Sequence, residues 1–217
     1  MSILSKPNHS LVLSYLGLRR AIGIIGMSLP FVLVFGKMLF DGPGIESSIS
    51  SYYHTAMRDV FVGSLCAIAV FLLSYWGYDR IDSITGKLAA LWAVGTAFFP
   101  ASPLNPSPEQ ILIGKFHSIF ALSFFLTLAF FALVLFRKTN PEQTPTSRKL
   151  TRNSIYVVCG IGILVCIVLI MMVELLPVSS SISRLSPVFW LEALAIILFG
   201  ISWFVKGKAI VKDEVKV

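Results

Sequence analysis

IGKFHSIFALSFFLTLAFFALVLF, residues 113–136, runs for 24 residues with one lysine, Lys115, and one histidine, His117. A hydrocarbon core of about 30 Å takes about 20 apolar residues in helical form, so this stretch is long enough to cross a membrane. A strand of a transmembrane barrel would instead alternate polar and apolar residues over about ten positions, and this stretch does not alternate. Five further runs, roughly 20–40, 58–76, 82–100, 154–176 and 186–205, have the same character. The expectation is an all-α, polytopic bundle of six transmembrane helices forming one integral membrane domain over residues 1–217.

Composition agrees. Apolar residues make up 56% of the 217, charged residues only 13%, and the mean hydropathy is +0.82. A water-soluble chain of this length has too little interior to hide that much apolar surface. In a soluble protein a net charge of +7 would suggest nucleic acid. Here the basic residues fall in short segments between apolar runs, which points to membrane orientation and discounts nucleic acid. Membrane lipids are the expected partners, with self-association into a homo-oligomer left open. The cysteines Cys66, Cys159 and Cys166 all lie inside apolar runs without a CxxC pair and read as small packing residues. The mixed N-terminal stretch lacks a small-residue cleavage pattern and makes a poor signal peptide.

Lysine and arginine orient the spans. Lys6, Arg19 and Arg20 precede the first, and Arg80 and Lys87 follow the second. Arg137, Lys138, Arg148, Lys149 and Arg152 flank the loop after the fourth, and Lys206, Lys208, Lys212 and Lys216 follow the sixth. The other loops, 41–57, 101–112 and 177–185, hold no lysine. This alternation suits six spans, would break with five or seven, and puts both termini in the cytoplasm. Pro30 is expected to kink span one. The row Ala89, Ala93 and Ala97 marks span three as a closely packed, central helix. Tyr75, Trp76, Tyr78 and Trp203 read as the inner aromatic belt and Trp190 as the outer one. Residues 11–20, LVLSYLGLRR, suit a short interfacial helix. The loop 100–108, PASPLNPSP, suits an ordered external cap, and 139–147, TNPEQTPTS, a cytoplasmic connection.

Ionisable groups inside spans are costly, and a functional site is their default reading. His117 near the outer end of span four, Glu192 near that of span six, and His54 and Asp59 at that of span two share one depth, with Glu174 at the end of span five. Two imidazoles and two carboxylates are a sufficient ligand set for zinc, so His54, Asp59, His117 and Glu192 are candidate metal ligands. The same four are candidate catalytic acid–base groups. Tyr52, Tyr53, Arg58 and Glu174 are candidate ligand-binding residues around them. Structural roles stand beside each reading: Asp59 as a helix-dipole partner, His54 with Arg58 as an interfacial polar face, His117 as an interhelical hydrogen-bonder, and Glu192 as one half of a buried pair. His54 and His117 as axial haem ligands form a further alternative. No Walker motif, GxSxG or HExxH occurs, which argues against energy-coupled transport by this chain alone.

LRRAIGIIGMSLPFVLVFG (18–36), SISSYYHTAMRDVFVG (48–63), GYDRIDSITGKLAALWAVGTAFFP (77–100), the His117 segment and PVFWLEALAIILFGISWFVKG (187–207) resemble a bacterial family of six-span membrane proteins. That family is the group catalogued as domain of unknown function 998, itself similar to DRAM-type proteins. The resemblance implies a six-span fold and a bacterial inner (plasma) membrane location, and it brings no activity. A second, narrower one is to the CREST membrane hydrolases, which include alkaline ceramidases. These combine a serine and histidine four apart with an aspartate and a later zinc-binding histidine pair. Ser50, His54 and Asp59 match the first part, whereas only His117 follows and six spans replace the expected seven. The functional expectation is therefore an outward-facing polar pocket for a lipid head group, small solute or ion. The alternative is a membrane-embedded, metal-dependent hydrolase acting on a lipid or amphiphile at the outer leaflet.

Overall fold

The computed structural model describes residues 9–75, 77, 79–139, 146–176 and 180–207, with side chains from residue 16 onward except at positions 180 and 181. Lys6, Trp76, Tyr78, Lys208, Lys212, Lys216 and most of the loop 139–147 lie outside the described residues. The elements are α1 (His9–Phe40), a 3-10 turn (Ser50–His54), α2 (Arg58–Leu73), α3 (Arg80–Phe98) and α4 (Pro108–Phe130), which runs into a π turn (Phe131–Leu135). Then follow α5 (Ser147–Leu175), the single turn α6 (Ser180–Ser183) and α7 (Pro187–Lys206). No strand occurs among the described residues.

Helix starts follow local chemistry. Asp79 and Asp82 form a reciprocal capping box at α3, and Ser107 with Gln110 forms another at α4, where Pro108 takes the first-turn position that needs no N–H. The Thr146 hydroxyl caps α5 by accepting from the Lys149 amide. Inside the helices no such signal is needed, because side chains in lipid only have to be apolar. The outward faces are: Phe31, Phe35, Leu39, Val158, Ile161, Val168 and Trp190 are all exposed. Water would not tolerate a belt of this size.

Among the described residues four helices are long and apolar enough to cross a membrane: Leu16–Phe40 within α1, Pro108–Leu135, α5 and α7. The 16 residues of α2 reach only about 24 Å at 1.5 Å per residue, and α3 carries Arg80, Asp82 and Lys87 near its start. This is a multi-pass membrane architecture.

The long helices pack as a ring. α1 touches α2, α2 touches α3, α3 touches α4, α4 touches α5, α5 touches α7, and α7 returns to α1. Glycines permit the closing contact: a Cβ on Gly23 would stand 2.9 Å from the Gly200 carbonyl oxygen, and one on Gly200 would stand 2.9 Å from that of Gly23. Side chains tie the connections into two layers. At one end Lys138 donates to Asp79 at 2.9 Å and Asp82 at 3.0 Å, while Arg20 Nε donates to the Gly207 carbonyl at 3.1 Å. The Lys138 ammonium holds the Asp79 carboxyl below the usual carboxylate range. At the other end the segment 41–57 meets both the loop 99–107 and the start of α7.

Several sequence expectations change here. α1 continues without a break through residues 11–20, so Arg19 and Arg20 sit on a long helix and not on a separate interfacial one. Trp203 and Tyr75 do not face an interface. Both are buried, at 0% and 3% exposure, in an aromatic cluster with Phe131, Phe136 and Phe199. The small face of α3 is buried as expected, yet the helix lies in the ring between α2 and α4 and not at its centre.

Candidate functional site

The 41–57 segment forms a roof over one end of the ring. Gly42 and Gly44 have φ of +95° and +117°, a backbone region that side-chain-bearing residues rarely adopt, and so permit a tight reversal after α1. Lys37 braces that reversal. Its ammonium lies 3.4 Å from the Pro43 and Gly44 carbonyls and 3.5 Å from the Glu46 carboxylate. Asp41 closes the segment by accepting from the Ala56 amide at 2.7 Å. Lys37 was hidden to charge counting because it sits inside the first apolar run, one turn from its end.

The roof is pinned to α7 at two points. The Phe189 amide, free at the helix start, donates to the Ser47 carbonyl at 3.0 Å. Glu192, one turn on, accepts from the Ile49 amide at 2.6 Å and also faces the Ser50 amide. Its carboxylate thus caps the N-terminal end of the 3-10 turn from another helix, a favourable place for negative charge.

The two histidines do parallel work on the neighbouring loop. His54 Nε2 lies 2.7 Å from the Ala101 carbonyl and His117 Nδ1 lies 2.7 Å from that of Phe99. A carbonyl only accepts, so each of these ring nitrogens carries a proton. Phe99 follows α3 directly, and its carbonyl has no partner within the helix. His117 is buried and His54 exposed, so only the first replaces a hydrogen bond that water cannot make.

The remaining candidates are dispersed. Asp59 is exposed in the first turn of α2, and Glu174 is exposed near the end of α5. Arg58 donates to the Tyr53 hydroxyl at 2.8 Å and lies 4.5 Å from the centroid of that ring. Tyr52 is fully buried against Phe189, with its hydroxyl beside the Glu46 backbone. Burial, with the Glu46 carboxylate nearby, holds its phenol above the ordinary tyrosine range. His54, Asp59, His117 and Glu192 share a layer but do not assemble as ligands. Among the described residues no group of three His, Cys, Asp or Glu could hold a metal ion.

Beneath the roof lies a cavity that side-chain patterning did not reveal. Its volume is about 40 Å3, and it is partly open to the surroundings. Phe61, Leu65, Phe124, Leu128 and Phe199 form its walls, and Ser50, Thr96 and Glu192 are its polar lining. The Thr96 hydroxyl is already committed to the Trp92 carbonyl at 2.9 Å.

The chain matches no family model, no curated protein and no solved structure. Its chemistry therefore has to be read from the roof and the chamber.

Proposed function

We propose that this is a six-span membrane protein that holds the apolar part of a membrane amphiphile in the chamber under its roof. The observation that carries this reading is the chamber itself: apolar walls on four helices, with Glu192 and Ser50 at the roofed end. A hydrocarbon segment would lie against the phenylalanines and leucines, and its polar end would meet the roof. A hydrolase reading needs a metal-bound or base-activated water, and the histidine contacts to Phe99 and Ala101 give it no support.

The six-span count is supported by the ring, since α2 and α3 reach from one tied layer to the other alongside the longer helices. With Arg19, Arg20, Lys87, Arg137, Arg148 and Arg152 at the Asp79 end, both termini lie in the cytoplasm and the roof faces outward across a bacterial inner membrane. Kinship with the domain of unknown function 998 group belongs to the same proposal.

The test is retention of lipid. Wild-type protein, exhaustively washed in mild detergent, should carry a tightly held amphiphile detectable by mass spectrometry. Ala121→Phe, which pushes a ring into the chamber wall, should fold and lose it. Equal retention in both would overturn the chamber reading. Orientation is checked separately by thiol labelling in a cysteine-free background, with Asn105→Cys modified from outside intact cells and Thr139→Cys only after permeabilisation.

A further inference from the structure

The chamber is lined by a carboxylate that no cation of the protein meets. Glu192 sits at its roofed end, accepting from the Ile49 amide at 2.6 Å and facing the Ser50 amide. A carboxylate offers about four lone-pair sites, so these amides leave room for further donors. Lysine and arginine do not supply them. Among the described residues none forms an ion pair with Glu192, and the nearby charge that bears on it is the carboxylate of Glu174. Lys37, the cation of the roof, is taken up by Glu46 at 3.5 Å and by the Pro43 and Gly44 carbonyls. A carboxylate in apolar surroundings without a cation carries a large solvation cost.

Two further features of the lining bear on what could meet it. Ser50 is only 7% exposed and lines the same end, and among the described residues its hydroxyl makes no hydrogen bond. Phe61, Phe124, Phe125 and Phe199 stand around these groups, and the faces of aromatic rings attract cations. A calcium or magnesium ion takes six or more oxygens, and too few converge here, since the Thr96 hydroxyl is committed to the Trp92 carbonyl. An organic ammonium needs fewer, because its hydrocarbon suits the apolar walls. We propose that the chamber selects a primary ammonium group as the polar end of its amphiphile, held by the Glu192 carboxylate and the Ser50 hydroxyl with its hydrocarbon against the phenylalanines. This rests on the chamber reading above and adds to it the sign of the ligand's charge. Because the chamber is partly open, a tail longer than the chamber can run on beyond it. The amides of the roof stay bonded to Glu192 throughout, so the latch and the ligand share one side chain.

The full chain in phosphatidylcholine nanodiscs is equilibrated with octylammonium or octanol, and bound probe is measured by dialysis against empty nanodiscs. Octylammonium should bind about tenfold or more tightly than octanol, as expected of a hydrogen bond to a charged group. Glu192→Gln, which keeps an acceptor for the Ile49 amide, should erase that preference and leave octanol binding as in wild type. Ser50→Ala should weaken octylammonium about threefold with Glu192 untouched. Should Glu192→Gln lose octanol as well, the wild-type preference and Ser50→Ala decide. Ala121→Phe should abolish binding of both probes. Equal binding of the two probes to wild type, lost in Ala121→Phe, would leave the chamber standing and overturn the ammonium inference, as would a preference that survives in Glu192→Gln. Binding that Ala121→Phe leaves intact, or no binding at all, would overturn the chamber reading and the inference with it.

Discussion

Glu192→Ala isolates what the roof latch contributes. The substitution removes the carboxylate that accepts from the Ile49 amide at 2.6 Å, and Ile49 is only 2% exposed, so water cannot readily take its place. A typical hydrogen bond contributes about 0.5–1.5 kcal/mol, and stranding a buried donor costs about 1–3 kcal/mol. We take about 2 kcal/mol as the loss, which at about 1.4 kcal/mol per decade raises the population of the open roof about 30-fold. Hydrogen exchange of the protein in nanodiscs reads this at the Ile49 and Ser50 amides, while the Asp82 amide in the capping box at the far end serves as the control. Glu192→Gln retains an acceptor without its charge and should accelerate exchange less than the alanine. Unchanged exchange at Ile49 in Glu192→Ala would refute the latch. Equal acceleration at Asp82 would show general loosening in place of a local opening.

Three further predictions follow from single contacts. His117→Phe keeps a ring in the α3–α4 seam but strands the Phe99 carbonyl, so it should destabilise the fold by about 1–3 kcal/mol in thermal melts, whereas His54→Ala on the exposed face should cost less than about 1 kcal/mol. Gly86→Ala would place a Cβ 2.8 Å from the Leu72 carbonyl oxygen, where backbone must move; a loss of about 1–3 kcal/mol in denaturant titration is expected, and a neutral result would mean α2 and α3 are not held this close. Because Lys138 depresses the Asp79 carboxyl, the contribution of that pair is present above the ordinary carboxylate range and is lost only as pH falls below it. The stability difference between wild type and Asp79→Asn should therefore stay level from pH 7 to 5 and shrink in stronger acid; a shrinkage already between pH 6 and 5 would contradict the assignment.

Four of the spans were legible because lipid imposes a simple condition, apolar residues over a fixed length, and a run such as 113–136 meets it without regard to its neighbours. What could not be read was rotation. An aromatic near a helix end serves a lipid belt or an inner cluster according to which way its helix is turned, and Trp203 and Tyr75 turn inward. Arg19 and Arg20 suggested a break that a single long helix accommodates by carrying them at the polar end. His54, His117 and Glu192 stood out in the sequence as ionisable groups near apolar runs. Their partners did not, because those partners are the backbone of Phe99, Ala101 and Ile49, and every residue carries the same amide. The chamber was invisible for a related reason: it is made by what the walls leave unfilled.

The contact between Gly23 and Gly200 has a consequence for biosynthesis. It joins helices separated by most of the chain, and every other neighbour in the ring follows in sequence order. During synthesis the growing protein is an open arc, with one flank of α1 covered by lipid until α7 is inserted. The chamber exists only from that moment, so no occupant can be enclosed by an unfinished chain. A bulky residue at either glycine would leave the arc ajar and the chamber without its α1–α7 wall.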